Sequence, residues 1–276
     1  MIVLSRVDRK SKSEEFQNAT PIQHLVLDGI IDQPELLSAT FPDPQWPNWS
    51  PLSAEYEAKK YLCRELDVFP IELKNLIGEL TSANFLKFLE DITGMYGLIP
   101  DPHLEGGGLH LSTEGGILAP HTDFHIYDRL NLYRQINLIV YLNHDWCVGD
   151  GGTLRLWDGR SRENPPKEVR IDPVLGRMII FKTDDRSVHG FTDPVSTGKV
   201  RKSIALYYYT AIDNSSFSGD YTTFWRSDRD FVERISPRQL LYRFLLQTSR
   251  GFSFLAHLVN PRLGLRWWRV RRKQIQ

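Results

Sequence analysis

The hydrophobic pattern changes period part-way along the chain. Between residues 70 and 95 apolar side chains return at the spacing of one helical face. This predicts a helix over Pro70–Leu80 and a second over Ala83–Met95, capped by Ser82, with Phe85, Leu86, Leu89 and Ile92 turned to a core. Upstream, FPDPQWPNWSP at 41–51 is rich in Pro and Trp and predicts an irregular loop that sets an opening strand and helix apart from the rest. From Gly107 to Thr210 the pattern becomes short β-type runs punctuated by Gly and Pro: GLHLS, ILAPHTDFHI, RQINLIVYLN, GTLRLWD, EVRIDP, RMIIFKT, VHGF and RKSIALYYYT. Eight such runs in succession predict a mainly β, α+β architecture, a double-stranded β-helix (jelly-roll) core with helices packed on the outside of one sheet. Such a core closes two antiparallel sheets around an interior able to hold a metal ion and a small ligand. The expected organisation is a strand-and-helix region at 1–106 packing on the core, the jelly roll at 107–212, and a helical, basic extension at 213–276.

Composition changes this picture mainly at the C-terminus. The 34 basic and 34 acidic side chains cancel overall, so no global field draws nucleic acid, and none is expected as a partner. They are unevenly placed. Residues 235–276 hold nine Arg and Lys and no Asp or Glu, which leaves 25 basic against 34 acidic side chains in 1–234. Two cysteines, Cys63 and Cys147, are too few for a disulfide framework or a cysteine metal cluster, which suits a reducing compartment. The start, MIVLSRVDRKSKSEEF, is too charged for a secretory signal, and no stretch approaches the ~18–20 apolar residues of a spanning helix. A cytoplasmic location is the resulting expectation.

Candidate chemistry begins with HTD at 121–123. Side chains two apart on a strand share a face, so His121 and Asp123 can reach one ion from one strand. His189, in the VHGF run 66 residues after Asp123, can be brought beside them by antiparallel pairing. Two His and one carboxylate make the facial triad of iron(II) oxygenases, with positions left open for co-substrate and oxygen. The same donors also suit zinc. Further on, Arg201 lies in RKSIALYYY, whose apolar neighbours predict a buried strand on which a charge needs a partner. A dicarboxylate supplies one, and Ser203, two residues on, can donate to the carboxylate that Arg201 clamps. The face Gln135, Asn137, Ile139, Tyr141 adds an amide and a phenol to the same pocket. His125, beyond Asp123, is too far along the strand for the same ion and reads as a neighbour of the site.

Taken together, HTD, INLIVYLNHDW at 136–146, GGTLRLWD at 151–158, GRMIIFKTDDRSVHGF at 176–191 and RKSIALYYY at 201–209 resemble the prolyl-4-hydroxylase-like branch of the 2-oxoglutarate/iron(II) oxygenases. Their order and spacing are similar to those of hypoxia-type prolyl hydroxylase domains and bacterial relatives. The resemblance implies iron(II), 2-oxoglutarate and O₂ as cofactor and co-substrates, admits L-ascorbate, and implies hydroxylation of a C–H bond with release of succinate and CO₂. It implies His121, Asp123 and His189 as catalytic metal ligands, Arg201 and Tyr141 on the distal carboxylate of 2-oxoglutarate, and Leu154 lining that pocket. The sequence departs from the hypoxia-type pattern at Leu111, where those enzymes carry a co-substrate-binding Tyr ten residues before the first ligand. Asp123 separates the chain from halogenases, and Tyr207 from nucleic-acid demethylases, which carry a second Arg there.

The substrate class implied is a small molecule, a sugar-like metabolite or a peptide, selected by the loops Phe124–Tyr133 and Asp158–Lys167. Two rivals use the same residues: a non-catalytic metal-binding jelly-roll module, and a zinc-dependent enzyme. Neither gives a reason for Arg201 and Ser203 to share a strand face. The C-terminal RLGLRWWRVRRK has the composition of a weak membrane-surface contact. The favoured expectation is that Leu240–Val259 packs its apolar residues on the barrel as a helix and that the last dozen residues are simply solvated.

Overall fold

The structure is a computed structural model that describes residues 2–54, 57–127, 129–163, 165–211 and 223–225, together with Leu241, Phe244, Leu245, Thr248, Ser249, Gly251, Phe252, Leu255 and Val259. The chain divides into two compact units, Met1–Arg226 and Ser227–Gln276.

Helices come mostly before the sheet: α1 (Arg9–Asn18), α2 (Pro34–Thr40), α3 (Ile71–Leu80) and α4 (Ala83–Thr93). The last two answer to the periodicity. Ser82 caps α4, its hydroxyl accepting from the Phe85 amide at 3.3 Å. α4 stops two residues short of the expected Met95 because Gly94 takes a left-handed conformation, φ 69°, which closes the last turn. By contrast, α1 (RKSKSEEFQN) has no apolar stripe; Asp8 caps it through the Lys10 and Ser11 amides, and Phe16 is its buried residue.

The strands are β1 (His24–Leu27), β2 (Ser50–Ala54), β3 (Glu57–Cys63), β4 (Ile99–Pro100), β5 (Gly108–Thr122), β6 (Ile126–Tyr127), β7 (Leu132–Tyr141), β8 (Leu154–Asp158), β9 (Glu168–Ile171), β10 (Met178–Lys182), β11 (Ser187–Phe191), β12 (Arg201–Thr210) and β13 (Phe224–Trp225). They form an antiparallel sheet with the order β1-β10-β7-β12-β5-β11-β8-β9, curled into a jelly roll, with β3, β4, β6 and β13 attached along its edges. GLHLS and ILAPHT, which read as two runs, are one strand, β5. Its first residues pair with β12 and its last with β11, so it carries the sheet from one wall of the roll to the other. The STEGG stretch between them bends the strand without ending it. β3 pairs Ala58 with Ile117 and Lys60 with Ser112, leaving 113–116 bowed out of register.

Alternation sorts the side chains. One face of β5, β7, β10 and β12 sends Leu109, Leu111, Leu138, Val140, Ile180, Ile204 and Leu206 into a core shared with Leu73, Leu76, Phe85, Phe88 and Leu89 of α3 and α4. The other face looks into the roll. There Tyr141, Leu154, Leu156, Ile179 and Phe181 form a smaller apolar cluster that backs the polar interior.

In the C-terminal unit the nine described residues are helical. The expected helix over Leu240–Val259, packed on the barrel, falls largely outside the described residues. The last dozen residues lie outside the described residues.

Candidate metal centre and co-substrate pocket

Antiparallel pairing of β5 with β11 sets His121 directly opposite His189, which is how two residues far apart in sequence meet. Asp123 follows just after β5. One donor atom from each of the three residues lies within 4.8 Å of the others, and all three side chains are buried. The His121 Nε2 is 3.6 Å from Asp123 Oδ1, and the His189 Nε2 is 3.3 Å from Asp123 Oδ2. Metal–ligand bonds of ~2.0–2.2 Å at right angles separate donors by about 3 Å, so the cluster needs little contraction to hold an ion.

The tautomers are set for it. His121 Nδ1 lies 2.9 Å from the Ala119 carbonyl, and His189 Nδ1 lies 3.2 Å from the Ser187 carbonyl. A carbonyl only accepts, so Nδ1 carries the proton in both rings and each Nε2 turns a lone pair toward the cluster. Burial pulls His189 down to about 4 against the opposing effect of Asp123, which keeps the ring neutral near pH 7. Burial alone would raise the Asp123 carboxyl. Arg134, His189 and His121 outweigh it and hold the group well below its usual value, as a carboxylate.

Arg134 is the residue that period-two reading missed. It is fully buried, with its guanidinium 3.3 Å above the Tyr207 ring and 4.7 Å from that of Phe124. Its Nη2 is 3.5 Å from Asp123 Oδ2 and its Nε donates to Asn137 Oδ1 at 2.9 Å. The Asn137 amide in turn donates to Asp123 Oδ2 at 2.6 Å. Strict alternation would put Arg134 on the face opposite Asn137. A bulge changes that: Tyr208 pairs with Ile136 but Tyr209 with Arg134, so Gln135 is the extra residue, and Arg134 is turned inward. The sequence signal was a charge at the mouth of a strand that is apolar further on.

Toward the other end of the interior, Arg201 is buried and meets no carboxylate among the described residues. Its Nε donates to the Gly152 carbonyl at 2.8 Å and its Nη2 to the Tyr141 hydroxyl at 3.2 Å, with the guanidinium 4.3 Å from the Phe191 ring centroid. Gly152 has φ +61°, and a Cβ there would lie 2.8 Å from Arg201 Cδ, so the approach needs glycine. Burial draws the guanidinium below its usual value, with Tyr141 opposing. Ser203 pairs with Tyr141 across β12 and β7, in the same row, and Leu154 packs in the cluster that contains Tyr141. Asn137, expected at the co-substrate, is instead bonded to Asp123 and Arg134.

Two other positions are resolved by the fold. Leu111 faces the helix-side core, whereas its neighbour His110 lies opposite Ser203 with its Nε2 buried and without a hydrogen-bond partner. His125 is buried, 2.9 Å from Asp185 through Nε2, and its carbonyl accepts from the Arg134 amide at 2.8 Å. It therefore supports the strand that carries Arg134. β13 adds an edge beside the cluster, pairing Phe224 with Thr122 and Trp225 with His121.

A model of the 2OG-Fe(II) oxygenase superfamily matches residues 107–209. Among solved structures, HygX from Streptomyces hygroscopicus with nickel, 2-oxoglutarate and hygromycin B bound is similar at TM-score 0.52 and 14% identity, over 81% of this chain and 99% of that one. The non-heme α-ketoglutarate-dependent epimerase SnoN from nogalamycin biosynthesis is similar at TM-score 0.52 and 14% identity, over 74% and 83%. A Pseudomonas putida prolyl-4-hydroxylase matches at TM-score 0.47 and 16% identity, over 73% and 98%. At these identities the structural likeness establishes the fold, and the family model covers the jelly-roll core. Residues 107–209 are thus similar to the 2OG-Fe(II) oxygenase superfamily, within a fold shared with solved 2-oxoglutarate-binding proteins.

Proposed function

We propose that the protein hydroxylates a C–H bond of a small molecule, a sugar-like metabolite or a peptide, with His121, Asp123 and His189 as the iron ligands and Arg201 as the anchor of 2-oxoglutarate. The observation that carries this reading is the pairing of a complete His–Asp–His cluster with a buried arginine that meets no carboxylate among the described residues. Donors and charge fit the two groups: a facial set of two neutral imidazoles and one carboxylate for iron(II), and an uncompensated guanidinium for the distal carboxylate of a dicarboxylic acid.

Each residue has a task in this scheme. The Ala119 and Ser187 carbonyls fix the imidazole protons at Nδ1, leaving Nε2 free to coordinate. Asn137 and Arg134 hold Asp123 ionised and orient Oδ2. Gly152 and Tyr141 fix the Arg201 fork, Ser203 adds a hydroxyl, and Leu154 closes the apolar side. When bound, iron(II), 2-oxoglutarate and O₂ supply the oxidation of the C–H bond. The surrounding buried side chains exclude water from that chemistry. Substrate choice falls to the loops Phe124–Tyr133 and Asp158–Lys167 at the mouth of the roll. Because HygX, of the same fold, holds hygromycin B, small molecules are the first candidates to test.

The deciding experiment is an anaerobic titration of metal-free protein with iron(II) and 2-oxoglutarate, read by visible charge-transfer absorption, followed by a succinate-release screen of candidate substrates. A band that needs both additions and weakens in Asp123→Ala and Arg201→Ala supports the assignment of roles. Folded, iron-loaded protein with no band would sink it, in favour of a ligand-binding module; catalysis with zinc and without O₂ would favour the zinc-dependent rival.

A further inference from the structure

Strand pairing places one further side chain at the Arg201 end of the interior. His110 of β5 lies directly opposite Ser203 of β12, and Ser203 lies opposite Tyr141 of β7. Residues paired across antiparallel strands share a face, so His110, Ser203 and Tyr141 form one row across the three strands. The next row sets Ser112 of β5 opposite Arg201, which makes Arg201 a diagonal neighbour of His110. Such diagonal pairs are ~7–8 Å apart, within reach of long side chains and of a ligand between them. The flanking residues agree with this assignment of faces: Leu109, Leu111, Ile204 and Leu206 all belong to the helix-side core.

The His110 ring presents a nitrogen with nothing to bond. Its Nε2 is buried and meets no hydrogen-bond partner among the described residues. An atom left so costs about 1–3 kcal/mol, which a fold tolerates where a ligand restores the bond. Burial holds the ring's pKa well below its ordinary value; of the charges around it, Lys60 of β3 and Arg201 add to that effect and Asp123 opposes it, as does the Gly106 carbonyl. The ring therefore lies within the field of both ends of the site, the cation at the pocket and the carboxylate at the metal cluster. Lys60 already has a counter-ion, Glu57 at 2.7 Å, so the charge at this end left to a ligand is that of Arg201, with His110 beside it. The oxygens of 2-oxoglutarate only accept, so a bond from His110 to them puts a ring proton on Nε2.

On the reading of the site as an iron(II) and 2-oxoglutarate centre, we propose that His110 is a further co-substrate-binding residue, its Nε2–H donating to an oxygen of the 2-oxoglutarate that Arg201, Tyr141 and Ser203 hold. The socket is then closed from β5, the strand that also carries His121, so one strand supplies both a metal ligand and a co-substrate donor.

The test is the anaerobic titration of the iron-loaded full chain with 2-oxoglutarate, read by charge-transfer absorption, for the parent, His110→Leu and His110→Gln. Leucine fills the place without a donor, and glutamine restores an N–H at similar reach. His110→Leu should weaken 2-oxoglutarate binding about tenfold, as the loss of one hydrogen bond to a charged group, and His110→Gln should recover most of it. Urea unfolding of the metal-free protein separates this from a structural role, because removing an unpartnered nitrogen should leave the His110→Leu midpoint unchanged or raised. In zinc-loaded protein, ring-nitrogen NMR should show 2-oxoglutarate moving a histidine signal that His110→Gln lacks. Parent-like affinity in His110→Leu overturns the proposal and leaves the oxygenase reading standing. A lowered midpoint with unaltered affinity also overturns it, and makes His110 structural. No band in the parent removes the oxygenase reading, and this inference with it.

Discussion

Two arginines lie buried in the same roll, and they are compensated in different ways. Arg134 has its partners within the protein: Asp123, Asn137, and the rings of Tyr207 and Phe124 against its guanidinium. Arg201 has a carbonyl, a phenol and aromatic faces but no carboxylate among the described residues. A buried charge with an internal counter-ion belongs to the architecture, while one without is a socket for an external anion. On the proposed function, Arg134 therefore serves the metal ligands and Arg201 the distal carboxylate of 2-oxoglutarate.

The sharpest break of this comparison is at Asp123. Asp123→Ala removes a metal ligand and leaves Arg134 buried and unbalanced, so iron binding should be lost and the metal-free protein destabilised by about 3–5 kcal/mol. Urea unfolding of the metal-free protein checks the second part, and an unchanged midpoint would show that Arg134 has another counter-ion. Next comes Arg201→Met. Its charge meets no carboxylate among the described residues, so on the proposed function the metal-free protein should be as stable as the parent or more so, while affinity for 2-oxoglutarate falls about a hundredfold with the loss of charged hydrogen bonds. A destabilised variant with unaltered 2-oxoglutarate affinity would make Arg201 structural. Asn137→Ala should weaken iron affinity by about 10- to 100-fold through misorientation of Asp123, with 2-oxoglutarate affinity of the iron-loaded form preserved. The reverse pattern in parallel titrations would return Asn137 to the co-substrate. Smallest is Tyr141→Phe, expected to cost about 1 kcal/mol in 2-oxoglutarate binding, because Gly152 still orients the guanidinium. Calorimetry on iron-loaded protein measures it.

How far each feature could be read from the chain follows from the range of its cause. The runs RMIIF and RKSIALYYY announce strands because burial on both sides selects β-branched and aromatic residues locally. α4 announces itself through Ser82 and a regular stripe. α1 does not, since a helix that buries one Phe and is held by an Asp cap leaves little hydrophobic period to detect. Continuity of β5 through STEGG was hidden for a similar reason: the glycines that read as a turn only bend a strand held from both sides by β3, β11 and β12.

The site divides in the same way. His121 and Asp123 are two apart on one stretch of chain, and the inward face of β12 carries Arg201 and Ser203 by alternation alone. Sequence by itself therefore determined the fold class, the donor types and the residues that share a face, because these depend on spacing along a single strand. Only the tertiary structure decided that Arg134 turns inward, that Asn137 serves Asp123, that position 111 faces the helices while His110 lies opposite Ser203, and that Arg201 meets no carboxylate among the described residues. Those outcomes depend on pairing register and on one extra residue in β7, and a shift of one residue exchanges the two faces of a strand for every position beyond it.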